Sequence, residues 1–267
     1  MKKVLLLLAI ILNISCSTNK FAASNKSYNK QVKALSKIIS KKDTIGLSSN
    51  LKTNFVGTVN LNMRKPNFVI IHHTAQDSVA QTLKTFTQTK TQVSAHYVIG
   101  DDGQVTQMLN DYLRAWHAGS GIWGKVTDMN SNSIGIELDN NGTEPFSDQQ
   151  INSLLLLLKK LKKTHNIPTQ NFIGHSDIAP TRKSDPSIFF PWQKLAENGF
   201  GLWQDPVLVT APANFDTTMA LKIIGYDTKT LSSVIKAFKL HYVKTEINDT
   251  LDQNTIDIIY NIYKKQP

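Results

Sequence analysis

The 267-residue chain has a single cysteine, only three arginines and no apolar run long enough to cross a bilayer. With Cys16 alone, an intramolecular disulfide framework is excluded. Arg64, Arg114 and Arg182 stand against 27 lysines, and base-reading or bidentate phosphate sites lean on arginine, so nucleic acid is not an expected partner. The net charge of +10 still asks for an acidic surface, either a membrane or an anionic polymer. A solvated lysine-rich surface without a specific partner is the plain alternative. With 40% hydrophobic and 19% charged residues, disorder over most of the chain is not favoured. The length suits one main domain with a small accessory one, and a monomer is expected.

What is present begins with a compartment signal. Lys2 and Lys3 precede an apolar run from Val4 to Leu12, then Asn13-Ile14-Ser15-Cys16. Residues 1–16 read as a secretory signal peptide with a processing site, since the run is far short of the roughly twenty residues of a spanning helix. Cys16 resembles the lipidated cysteine of a bacterial lipobox, although Asn13 stands where leucine is usual and Leu12 lies one place further back. A lipid anchor on Cys16 in the outer membrane, facing the periplasm, is the expectation, with soluble periplasmic or secreted protein as the alternative. Residues 17–50 are rich in Ser, Asn and Lys and read as a flexible tether, with a short helix at 31–40 equally compatible.

From residue 51 to 205 the chain alternates strand and helix patterns. Phe68-Val69-Ile70-Ile71 is an apolar, branched run typical of a buried strand, ending in His72-His73-Thr74. Neighbouring strand side chains point to opposite faces, so only one of the two histidines faces a given pocket. A helix is expected within Asp77 to Thr89. A hairpin follows, from Ser94–Ile99 through Asp101-Asp102-Gly103 into Gln104–Leu109. In Ser133–Leu138, Glu137 is a lone acid amid an apolar strand, for which a solvent-facing edge carboxylate is the commoner explanation. Ser147 and Gln150 form a capping-box pattern before a leucine-rich helix. A further short strand ends in His175, and a polar loop runs to Asp185-Pro186. The alternation predicts an α/β fold with a central mixed sheet and helices on its faces.

Five segments carry a family resemblance: Ile71-His72-His73-Thr74-Ala75, Val93-Ser94-Ala95-His96, Arg114-Ala115-Trp116-His117-Ala118-Gly119, Ile134-Gly135-Ile136-Glu137-Leu138, and Gly174-His175-Ser176-Asp177-Ile178-Ala179-Pro180 with Arg182-Lys183-Ser184-Asp185-Pro186. In this order they resemble the N-acetylmuramoyl-L-alanine amidases of the AmpD and AmiD type, relatives of the peptidoglycan recognition proteins. The resemblance implies zinc held by His72, His175 and Asp185, with Glu137 and Lys183 as the catalytic side chains. Two imidazoles and a carboxylate leave the fourth position of the metal open to water, as catalytic rather than structural zinc requires. Zinc brings the pKa of such a water to roughly 7. Glu137 would then act as base and acid, and Lys183 as the stabiliser of the oxyanion.

Asp177 competes with Asp185 as a ligand by position, and the resemblance favours Asp185, which leaves Asp177 to hold the loop. Arg114, Trp116, His117 and His96 are candidates for substrate contact, His96 and His117 being equally compatible with buried core positions. His73 is read as structural, and His165 as a surface residue matching its helix dipole. The implied activity is cleavage of the amide between N-acetylmuramic acid and L-alanine in peptidoglycan or muropeptides. A non-catalytic recognition module on the same fold is the alternative, and the presence of all five expected residues counts against it. The amino-terminal signal counts against a cytosolic recycling enzyme.

After Trp203, Pro206 and Pro212 punctuate a linker-like stretch, and residues 206–267 read as a small three-helix bundle. Leu231, Val234, Ile235, Phe238 and Tyr242 share one helical face, and Ile256, Ile259, Tyr260 and Tyr263 another. The run from Leu221 to Asp227, with Ala237-Phe238-Lys239, resembles the peptidoglycan-binding domain attached to AmiD-type amidases, with a purely structural bundle as its rival.

Overall fold

The computed structural model describes residues 20–40 and 63–267. Cys16 and the signal segment lie outside them, as does the rest of the 17–50 stretch. Within that stretch, where a flexible tether and a short helix at 31–40 are equally compatible with the sequence, the structure has the longer helix α1 (Ala22–Ile39), which buries no side chain. Its 18 residues contain neither glycine nor proline, so no strong helix breaker interrupts it. Helix α1 belongs to a unit of its own, and residues 62–267 form a second compact unit.

In the second unit the elements run β1 (Phe68–His73), α2 (Val79–Phe86), β2 (Tyr97–Ile99), β3 (Val105–Gln107), α3 (Met129–Asn132), β4 (Ser133–Leu138), α4 (Asp148–His165), β5 (Phe172–Gly174), α5 (His175–Ile178), α6 (Trp192–Glu197), α7 (Thr217–Ile224), α8 (Leu231–Phe238) and α9 (Gln253–Lys264). Among the described residues the sheet has five strands, in the order β3-β2-β4-β1-β5. Strand β1 pairs in parallel with β4 and β5, β2 in parallel with β4, and only β3 runs antiparallel. This is the mixed sheet that the alternation predicts.

Alternation along β1 divides its side chains between two cores. Val69 and Ile71 join Ile134, Ile136 and Leu138 beneath α4, whose Ile151, Leu154, Leu158 and Leu161 are buried there. Each fully buried leucine contributes about 1.5–3 kcal/mol. Ser147 caps α4 by accepting from the Gln150 backbone N–H, 3.1 Å away. The reciprocal half of the capping box is not used. The Gln150 side-chain amide instead donates to the carbonyls of Ile99 and Asp139, tying the helix to the sheet.

On the other face, Phe68 and Ile70 pack with Ile173 and Met129 against Leu221, Val234, Phe238, Ile258, Ile259 and Ile262 of the C-terminal helices. The three helices are present as expected, but they share one core with the sheet and do not enclose a separate one. A π-helical turn, Lys239–Val243, continues α8. The predicted face of α8 is the buried one. That of α9 is rotated, with Thr255, Ile258, Ile259 and Ile262 inside, while Tyr260 and Tyr263 pack on Phe215.

Candidate active site

The site forms at the carboxyl ends of the parallel strands, where ligands gather in open α/β sheets. His72 is the fifth residue of β1 and stands opposite Glu137 in the β1–β4 register. His175 follows the last residue of β5 and opens α5. The loop after α5 returns Asp185, held by a 2.8 Å bond from the Ser176 N–H to the Asp185 carbonyl. Nδ1 of His72 lies 2.9 Å from Nδ1 of His175, and Oδ2 of Asp185 is 3.2 and 3.1 Å from the two nitrogens. All three residues are buried.

Electrostatics favour a cation at this point. Burial, aided by the neighbouring His175, brings His72 down to about 4, so its imidazole is neutral and has a free lone pair at neutral pH. Although burial works against the ionised form of Asp185, its close contacts with His175 and His72 hold its carboxyl well below the usual carboxylate range. Two imidazoles and a carboxylate, with donor atoms all within 4.8 Å of one another, form a set that suits a divalent ion. Glu137 is partly open to solvent. Burial, then the charge of Asp185, pushes its carboxyl up to about 8, with Lys183 pulling the other way. Lys183 itself is exposed and its charge is felt at His72 and Glu137.

The other predicted residues divide. Trp116 is 52% exposed and free to meet a ligand. Arg114 also reaches the surface, where it pairs with Asp128 at 2.9 Å and donates to the Ser131 hydroxyl. His96, proposed above for substrate contact, is fully buried. Its Nδ1 accepts from the Gly135 N–H and its Nε2 donates to the Leu113 carbonyl, so it is a core residue. His117 is buried as well, and its ring turns inward to His72. Nε2 of the predicted surface residue His165 is 3.0 Å from Asp111, and the ring is buried. His73 behaves as read: it points away from the site and accepts from the Ser187 N–H. Asp177 does hold the loop, accepting from the Gly174 N–H, the Tyr226 hydroxyl and His241.

Sequence reasoning missed Asn130, Ser133, Tyr226 and His241. None lies in a motif whose chemistry points to the site. Asn130 Oδ1 accepts from the N–H groups of both His117 and Ala118 at 2.9 Å, fixing the backbone beside the histidines.

A buried His-His-Asp set beside a glutamate, at the carboxyl ends of parallel strands, is compatible with a metal site of a hydrolase. The comparisons make this specific. The chain belongs to the N-acetylmuramoyl-L-alanine amidase family, whose model matches residues 62–188, and so is an amidase of that class. It is 34% identical over 229 residues to the N-acetylmuramoyl-L-alanine amidase AmiD of Escherichia coli, covering 74% of this chain and 82% of that protein. The solved structure of E. coli AmiD with anhydro-N-acetylmuramic acid-L-Ala-D-gamma-Glu-L-Lys is similar at a TM-score of 0.69 and 30% identity, over 83% of this chain and 98% of that one. AmpDh3 of Pseudomonas aeruginosa, in complex with an anhydromuramic pentapeptide, is similar at a TM-score of 0.70 and 28% identity, over 82% and 99% of the two chains.

Proposed function

We propose that this protein is a zinc-dependent amidase that hydrolyses the bond between the lactyl group of N-acetylmuramic acid and L-alanine in peptidoglycan or its muropeptides, working outside the cytoplasm on a lipid anchor at Cys16. The convergence of His72, His175 and Asp185 beside Glu137 carries the reading. The donor set favours zinc, since imidazole nitrogen with one carboxylate and an open fourth position is a catalytic zinc pattern. When bound, zinc supplies a Lewis acid and an acidified water.

The chain's own groups account for the remaining proton and charge movements. Glu137 takes a proton from the attacking water and delivers it to the departing L-alanine nitrogen. A cation held by the neighbouring ligands lowers the pKa of Glu137 from its elevated value, which readies the carboxylate for the first role. Lys183, exposed at the rim, stabilises the negative charge that develops on the carbonyl oxygen. Trp116 offers a flat apolar face to the sugar or stem peptide. Anhydromuramyl peptides bound in the two relatives support a muropeptide substrate. The signal segment and Cys16 support export and anchoring.

Digestion of purified wall and muropeptides by wild-type and Glu137→Ala protein, with and without chelator, tests the mechanism by counting new L-alanine amino termini. Loss in the variant, and loss with chelator that zinc restores, are expected. Activity surviving both treatments eliminates the proposal.

A further inference from the structure

We infer that His117 and Ser133 are positioning residues: a one-way hydrogen-bond chain through them fixes the tautomer in which His72 presents Nδ1 as a bare lone pair to a metal. The inference rests on the metal-site reading above. The chain starts at the Ser133 hydroxyl, 2.6 Å from the Met129 carbonyl. A carbonyl only accepts, so the single hydroxyl proton is committed there. Ser133 Oγ, 3.2 Å from Nε2 of His117, can then only accept, and His117 carries its proton on Nε2. Its Nδ1 is the acceptor in the 3.0 Å contact with Nε2 of His72. His72 therefore donates from Nε2, and the nitrogen facing His175 and Asp185 is unprotonated.

The same segment serves the second imidazole. Nε2 of His175 faces the Ala118 carbonyl at 3.4 Å, a long bond that favours the same tautomer and leaves Nδ1 toward the metal. Adjacent residues 117 and 118 thus orient both histidine ligands, one by its ring and one by its carbonyl, on a backbone that Asn130 clamps. Gly135 completes the arrangement, because a Cβ at that position would overlap the His117 ring. Partners that orient ligating histidines are worth about 10- to 100-fold in metal affinity.

Zinc affinity, measured by chelator competition on the full chain, tests this directly. His117→Phe keeps an aromatic ring against Gly135 but removes the acceptor for His72, so zinc affinity is expected to fall about 10- to 100-fold. His117→Gln restores an acceptor and is expected to recover part of the loss. In zinc-loaded wild type, long-range nitrogen–proton NMR should place the His117 proton on Nε2 with Nδ1 bare. Should the phenylalanine variant fail to fold, Ser133→Ala gives the same test by freeing the His117 tautomer, with weakened zinc binding and an altered His117 signature. A folded His117→Phe or Ser133→Ala protein with wild-type zinc affinity, or a His117 proton on Nδ1 in the wild type, overturns the inference. Absence of stoichiometric zinc in the wild type would instead overturn the metal-site reading itself.

Discussion

His241 Nδ1 lies 2.7 Å from Asp177 Oδ2, joining the π-helical turn of the C-terminal helices to the short helix that opens with His175. Both residues are buried, and the His241 ring is stacked between Trp192 and Tyr242 at centroid distances of 3.8 and 3.9 Å. The Tyr226 hydroxyl reaches the other oxygen of the same carboxylate at 2.6 Å. Two C-terminal side chains therefore brace the segment that carries His175 and Asp185.

Asp177→Ala strands three buried donors, those of Gly174, Tyr226 and His241. Each unsatisfied group costs about 1–3 kcal/mol, so chemical denaturation should show a loss of roughly 3 kcal/mol or more. Tyr226→Phe removes one bond and should cost about 1 kcal/mol. A neutral Asp177→Ala would show that this bracing is dispensable.

Removing residues 206–267 uncovers the sheet face that holds Phe68 and Ile70. The truncated chain is expected to aggregate or to lose its cooperative thermal transition, as judged by calorimetry and light scattering. A soluble fragment with a sharp transition would show that the C-terminal helices are separable after all.

Stability of the metal-free protein should depend on pH in a way that reports on Glu137. Its carboxyl stays protonated in the folded chain up to about 8 but ionises near 4.5 when unfolded, so stability falls as pH rises across that window. His72, lowered from 6.5 to about 4, gives the opposite slope below pH 6.5. The Glu137 contribution is therefore clearest between pH 6.5 and 8. Urea midpoints should decline over that range in the wild type and flatten in Glu137→Gln.

His175→Ala should abolish stoichiometric zinc while leaving the circular dichroism of a folded chain. Full zinc occupancy by elemental analysis would refute the ligand assignment.

Much of the centre was legible because its chemistry sits in contiguous motifs. His72, Glu137, His175, Lys183 and Asp185 each stand in a short stretch whose resemblance to the amidase family implies a role. The inward turn of His117 was not legible, since it depends on the missing side chain of Gly135 and on Ser133, a residue with no signature of its own. Likewise the capping-box pattern cannot reveal that Gln150 reaches the sheet and not its own cap. The covering of the second sheet face did have a signal. Phe68 to Ile71 is apolar at every position, which demands cover on both faces, and α4 alone supplies one side. The C-terminal leucines and aromatics had to supply the other.

His72 and Glu137 occupy matched positions on neighbouring parallel strands. Their separation is thus set by the interstrand spacing of roughly 4.7–4.9 Å, which the backbone ladder enforces and no connecting segment can alter. Insertions or deletions in the surrounding loops can reshape the neighbourhood while these two positions stay in place.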